Sequence, residues 1–349
     1  MPIDGSFNRR HLVGAGLSLS ASALTSGSVV TSAQEGTSSP GATPASASGT
    51  QPDGSWLFTD DLGIEIRLPS PPQRIVAELS AAAALWDLGI RPIGVWGLEP
   101  GQEPTENLTG RIDFATPEDL GPGFAGFDIE RLVGIEPDLI IASAYSSYAS
   151  RYWRLDPDVV SQIQALAPVL GVLVTDVPQN EVIERYVRVA NALDVDTDST
   201  GIAAAQVAYL DAQDALRAAA AAKPDLTVVP VSGSTDSFYI GNQNVSSDLR
   251  LFADLGVSLP ETDNTADTFL LLSWEEADTY PADVLLVDRR SFALPYEDML
   301  GFGSFASLPA VVANQIGDWN LEYVDSYQGF VPILEELTAL ITASRDDLV

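Results

Sequence analysis

The sequence predicts an α/β protein of two similar lobes joined by one long helix. Three observations carry that prediction. Short runs rich in Val, Ile and Leu alternate with segments of helical periodicity. The two halves of the chain echo one another in motif and spacing. An alanine-rich stretch long enough for one helix lies between them.

The elements follow in chain order. Arg9-Arg10 precedes a weakly apolar run, Leu12 to Leu24, rich in Gly, Ala and Ser. That is the order of a secretory signal, and the arginine pair points to the twin-arginine route. Thr31-Ser32-Ala33 supplies small residues for cleavage, so residues 1–33 are expected to be a signal peptide. Without cysteine the leader is not of the lipoprotein type, and the exported product is expected to be soluble, periplasmic or extracellular, and not lipid-anchored through cysteine. Residues 34–52 are Ser, Thr, Ala, Gly and Pro with almost no large apolar side chain, the composition of a disordered tether. Folded structure is expected from about Ser55-Trp56.

Strands are predicted at Arg74–Leu79, Pro92–Gly97, Asp138–Ser143, Leu170–Thr175, Leu226–Ser232 and Asp283–Asp288. Their near-continuous apolar character suits mainly parallel sheets covered on both faces. Helical spacing marks Ser80–Leu88, Val182–Leu193 and Ser247–Leu255. Leu88-Gly89-Ile90 and Leu255-Gly256-Val257 both end a helical pattern on a glycine C-cap. Glu130 precedes Asp138 by eight positions, as Glu275 precedes Asp283, and each pair spans a proline before a strand. Ser199 to Lys223, ended by Pro224, is the bridging helix, roughly 35 Å long at 1.5 Å per residue. A bridge of this kind limits hinge closure. The expected organisation is an N-terminal lobe over 53–198, the connecting helix over 199–223 and a C-terminal lobe over 224–349.

Composition narrows the chemistry. With 49 Asp+Glu against 17 Lys+Arg, a net charge of −32, the surface repels phosphate backbones, and nucleic acid is not an expected partner. Cysteine is absent and the one histidine, His11, lies in the expected signal peptide, so His-based triads and Cys–His pairs are excluded from the mature chain. The sequence has no P-loop and no Gly-x-Ser-x-Gly elbow. Composition leaves a carboxylate-based glycoside hydrolase as a distant alternative. Otherwise no enzyme and no cofactor is expected.

Three segments, PQRIVAELSAAAALWDLGIRPIGVWG (72–97), FDIERLVGIEPDLIIAS (127–143) and LAPVL (166–170), resemble the N-lobe of periplasmic siderophore- and vitamin-B12-binding proteins. FYIGNQNVSSDLRLFADLGV (238–257), LSWEEADTYPADVLLVD (272–288) and LPAVVANQIGDW (308–319) resemble their C-lobe. The resemblance implies Rossmann-like lobes on either side of a backbone helix, with a ligand cleft between them. It also implies a monomer that delivers its ligand to an ABC permease. Acidic residues on each lobe dock on permease arginines in that family, and the matching positions are Glu130 and Glu275. Both also lie near helix starts, where carboxylates favour the helix dipole. Ser273 with Glu276 fits a capping box, which leaves Glu275 free to face outward.

Ligands of open α/β sheets bind outside the carboxyl ends of strands. Trp96, Tyr145, Tyr148, Tyr239, Arg289 and Arg290 fall at such ends, and Tyr327 falls where the family presents aromatics. Aromatic walls with guanidinium groups suit a bulky, partly apolar, anionic chelate. A ferric siderophore-type ligand is the expectation, with cobalamin or haem as alternatives on the same scaffold.

Overall fold

All six predicted strands are present in the computed structural model of the protein, and they sort into two sheets. The structure describes residues 48–98, 106–124, 126–146, 149–262, 267–319 and 321–349. The expected signal peptide, most of the expected tether and Tyr148 lie outside the described residues.

The strands are β1 (Gly49–Thr50), β2 (Trp56–Thr59), β3 (Glu65–Leu68), β4 (Ile75–Glu78), β5 (Gly94–Trp96), β6 (Glu118–Asp119), β7 (Leu139–Ala144), β8 (Val169–Leu173), β9 (Val228–Gly233), β10 (Phe238–Gly241), β11 (Phe269–Leu272), β12 (Val284–Asp288) and β13 (Ile316–Trp319). The helices are α1 (Leu79–Asp87), α2 (Glu106–Thr109), α3 (Ile129–Gly134), α4 (Pro157–Gln164), α5 (Gln179–Ala192), α6 (Thr200–Ala222), α7 (Ser247–Asp254), α8 (Tyr296–Met299), α9 (Gly303–Ala306), α10 (Pro309–Val312) and α11 (Tyr327–Ala343). No helix among the described residues is long and apolar enough to cross a membrane.

The N-lobe sheet runs β6-β5-β4-β7-β8 and is parallel throughout. The C-lobe sheet runs β11-β10-β9-β12-β13 and is mixed: β9, β12 and β13 are parallel, while β10 and β11 form an antiparallel edge. Mainly parallel pairing therefore holds for one lobe and half of the other. The continuous apolar runs have a simple cause. Leu139 and Ile141 of β7 enter one N-lobe core while Ile140 and Ala142 enter the other, on the opposite sheet face. Val284 and Leu286 of β12 likewise serve one C-lobe core, and Leu285 and Val287 the other.

The echo between halves is structural. Gly89 and Gly256 both adopt positive φ, 90° and 94°. Behind them Ile90 N donates to Leu85 O at 2.9 Å and Val257 N to Phe252 O at 3.0 Å, the same helix-ending turn twice. Asp138, at the start of β7, accepts from the backbone N of Gln73 and Arg74 at 2.7 and 2.9 Å. Asp283, at the start of β12, accepts from Thr227 N at 2.9 Å. Each aspartate thus pins the strand lying beside its own.

Two features differ from the sequence expectation. Gly49–Thr50, assigned to the tether, pairs with β2 and opens a three-stranded antiparallel sheet, β1-β2-β3. Trp56, Phe58 and Ile66 bury it in the N-lobe core, and Trp56 Nε1 donates to Ala192 O at 2.6 Å. Segment 321–326, assigned to the C-lobe, crosses back: Val324 lies in an N-lobe core, and Ser326 Oγ donates to Asp87 at 2.6 Å.

The 23-residue helix α6 is the predicted bridge and packs along α11. A second tie runs through loops 174–176 and 245–247, where Asp176 N donates to Val245 O at 3.1 Å and Ser247 Oγ to Val174 O at 2.8 Å.

Candidate functional site: the cleft between the lobes

The carboxyl ends of both sheets open onto the space between the lobes, where the chain places aromatic and charged side chains. On the N-lobe, β7 leads into a short excursion that returns through Ser150–Trp153. Tyr145 N donates to Arg151 O at 3.0 Å and Trp153 N to Ser143 O at 2.8 Å. This pairing brings the Tyr145 ring to 4.9 Å from Trp153, with Phe124 edge-on to Trp153 at 6.0 Å. Arg151, Arg154 and Asp176 all adopt positive φ, at 64°, 60° and 67°. Non-glycine residues held there carry a conformational cost, and such residues cluster at functional sites.

Arg154 is the centre of this wall, and two glycines make room for it. A Cβ on Gly123 would stand 2.4 Å from Arg154 O, and one on Gly97 would meet Arg154 Cδ at 3.1 Å. The guanidinium reaches Glu322 Oε1 at 3.2 Å and Glu78 Oε1 at 4.0 Å. Glu78 is fully buried at the end of β4, and its carboxylate accepts from Ser80 N and Ala81 N as the N-cap of α1. Burial raises its pKa despite the arginine, because desolvation outweighs an attraction across 4.0 Å. Two further acids lie deep at this junction. Asp325 accepts from Gln179 Nε2 at 2.7 Å and is pushed up to about 7 by burial. Asp248 accepts from Trp319 Nε1 at 2.7 Å and is pushed up to about 6 by burial.

On the C-lobe, the end of β12 carries Asp288, Arg289 and Arg290. Asp288 is buried and takes a bidentate grip from Arg290, with Nη2 donating at 2.6 Å and Nε at 2.9 Å. Ser232 Oγ supports the same carboxylate at 2.8 Å. The Arg290 guanidinium then lies 5.6 Å from the Phe269 ring and 4.7 Å from Phe292. Tyr239 meets Phe269 edge-on at 6.0 Å. Phe292, 71% exposed, is the open end of this aromatic row. Arg289 Nε donates to Asp318 at 2.6 Å, with its guanidinium 5.5 Å from Tyr296. Arg289, Asp318, Trp319, Asp248 and Glu322 join Asn107 of the N-lobe around a concavity of about 480 Å³. Another hollow, about 400 Å³, lies off the strand ends among Asp87, Arg111, Asp196 and Tyr327.

Tyr145, Tyr239, Arg289 and Arg290 lie at strand ends with part of each residue open to solvent. Trp96, by contrast, is 1% exposed, packed edge-on to Phe127 at 5.5 Å inside an N-lobe core. Its position at a strand end is right, but its ring turns into the lobe. Tyr327 is buried at the helix junction, where its hydroxyl donates to Glu184 at 2.5 Å and accepts from Gln206 at 3.2 Å. The sequence reading missed Arg154, Glu322, Phe269 and Phe292; only Phe292, just beyond the Arg289-Arg290 pair, carried a local signal. Glu130 is exposed in the first turn of α3, and Glu275 is exposed in a 3₁₀ turn at 274–276. The predicted capping box is present, with Ser273 N and Oγ donating to Glu276 at 3.0 and 2.9 Å.

Among solved structures, the chain is 31% identical to DesE, a ferric-siderophore receptor protein from Streptomyces coelicolor. The match covers 83% of this chain and 99% of that one, at a TM-score of 0.76. The chain belongs to the siderophore-binding family of ABC-importer substrate-binding proteins. The siderophore periplasmic binding protein from the fuscachelin gene cluster of Thermobifida fusca shares the fold at 21% identity, over 78% of this chain and 97% of that one, TM-score 0.57. So does the petrobactin-binding protein YclQ from Bacillus subtilis, at 13% identity over 82% and 98%, TM-score 0.63. No protein-family model matches the sequence, and no curated protein matches it. The relatives compared are a receptor protein and binding proteins.

Proposed function

We propose that this protein is an exported, monomeric solute-binding protein that holds a ferric siderophore-type chelate between its lobes and delivers it to an ABC permease. The likeness to DesE over nearly all of that receptor's length carries the reading. The site supports it: the N-lobe carries the Tyr145–Trp153–Phe124 group and the C-lobe the Tyr239–Phe269–Phe292 row, aromatic surface suited to a large, partly apolar ligand. Export rests on the twin-arginine leader, and the missing cysteine supports a product without a lipid anchor. Docking rests on Glu130 and Glu275, exposed on separate lobes, where permease arginines would pair with them. The protein works by binding rather than by turnover: the mature chain has no histidine or cysteine for nucleophilic catalysis.

Tryptophan fluorescence of the mature chain, titrated with ferric trihydroxamate, ferric tricatecholate, ferric citrate, haem and cobalamin, tests the reading. Saturable quenching by at least one ferric chelate at submicromolar concentration is expected. Quenching by cobalamin or haem alone would move the ligand to that class, and quenching by none would overturn the proposal.

A further inference from the structure

Arg289 and Arg290, the arginines that made an anionic ligand attractive in the sequence, are already paired in the fold, and so is Arg154. Arg290 is gripped by the buried Asp288, Arg289 is bonded to Asp318, and Arg154 lies between Glu322 and Glu78. Each guanidinium at the inner wall thus has a carboxylate, and Arg154 has two. Asp248 and Asp325 add carboxyl groups behind them without adding a cation. The remaining guanidinium of the rim, Arg151, is exposed to solvent, where water and salt screen it. Around this site the chain carries a net charge of −32, so the long-range field also opposes an approaching anion.

An arginine pinned by a bidentate carboxylate still presents a flat, weakly hydrated face. Arg290 uses that face against Phe269 and Phe292, at 5.6 and 4.7 Å. It is part of an aromatic platform rather than a free counter-charge. A polyanionic chelate entering here would have to displace Asp288 or Asp318, leaving a carboxylate beside a like charge.

We propose that the cleft selects chelates of zero or positive net charge and rejects polyanionic ones. This rests on the reading of the protein as a ferric-chelate receptor, and it replaces charge pairing by aromatic packing as the basis of recognition.

The test compares three ferric chelates by fluorescence titration of the mature chain: a neutral trihydroxamate, a trihydroxamate bearing a free terminal ammonium, and a trianionic tricatecholate. The first two are expected to bind about 100-fold or more tightly than the trianion at low salt, with the gap narrowing at high salt. Asp318→Asn, which frees Arg289, is expected to tighten the trianion about fivefold or more relative to the neutral chelate. Arg151→Ala is expected to change all three by less than about threefold. A trianion bound as tightly as the neutral chelate, or indifferent to Asp318→Asn, overturns the charge rule and leaves the receptor reading standing. Failure of all three chelates to bind overturns both.

Discussion

Arg154 Nη2 donates to Glu322 Oε1 at 3.2 Å, joining the loop after β7 to the segment that leads into α11. The same guanidinium faces Glu78, whose carboxylate caps α1. One buried arginine thus ties the floor of the N-lobe sheet to the chain returning from the C-lobe. Removing Glu78 leaves Arg154 poorly compensated and two α1 amides uncapped. Glu78→Ala is expected to cost about 3 kcal/mol, measured by chemical unfolding. A loss below about 1 kcal/mol would show that the pair contributes little.

Asp325 and Asp248 set a pH dependence. Their folded-state pKa values, about 7 and about 6, lie above the ordinary 3.8 because burial disfavours the charged form. Facing Asp325 are Gln179 of α5, which donates to it, and the acids Glu78 and Asp248. Facing Asp248 are Trp319 of β13, which donates to it, and Arg290. The folded protein therefore holds protons that the unfolded chain has released. Their contribution to stability is fully present below about pH 4 and is lost as pH rises through 6 to 7, with a slope of at most about 1.4 kcal/mol per pH unit for each group. Asp325→Asn keeps an acceptor for Gln179 and is expected to be more stable than the parent at pH 8 and close to it at pH 4. Equal thermal shifts at both pH values would refute this titration.

The fold was legible because its two signals are local and repeated. The glycine stops at Gly89 and Gly256 and the aspartates Asp138 and Asp283 recur with the same geometry, so spacing alone revealed the lobes. The β10–β11 edge and the β1–β3 sheet were not among the strands the apolar runs marked. The site was half legible. Strand ends located Tyr145, Tyr239, Arg289 and Arg290, but position along a strand does not say which face a ring takes, and Trp96 turned inward. Nor does sequence show partners distant in the chain: nothing near Arg154 announces Glu322, 168 positions away.

Lys223, the sole lysine of the chain, ends α6 and caps another helix. Its ammonium donates to Ile341 O at 2.9 Å, Thr342 O at 2.7 Å and Ser344 O, the open carbonyls at the end of α11. The bridge is thereby fastened to the C-terminal helix. Lys223→Met is expected to cost about 1–2 kcal/mol, with early loss of amide protection at the end of α11 by hydrogen exchange. Unchanged protection there would show the cap to be dispensable.

Glu130 and Glu275 are exposed. Reversing both charges, Glu130→Arg with Glu275→Arg, is expected to abolish uptake of the ferric chelate by cells while leaving its affinity within about twofold, since surface substitutions of this kind change local energies little. Loss of affinity would place these residues in the cleft instead.

Phe292 separates ligand contact from folding. At 71% exposure its ring contributes little to the core, yet it stands 4.7 Å from the Arg290 guanidinium at the open end of the aromatic row. Trading the ring for a methyl group removes a platform without leaving a cavity. Phe292→Ala is expected to weaken the ferric chelate about tenfold, equivalent to about 1.4 kcal/mol, with the melting temperature shifted by no more than about 2 °C. Arg290→Ala is expected to weaken binding as well, but it also strands Asp288 in the interior and lowers the melting temperature. The contrast between the two variants distinguishes a ring that meets the ligand from an arginine that holds it in place. If Phe292→Ala binds like the parent, the aromatic row is a structural feature of the C-lobe edge and the ligand rests on the N-lobe wall of Tyr145 and Trp153.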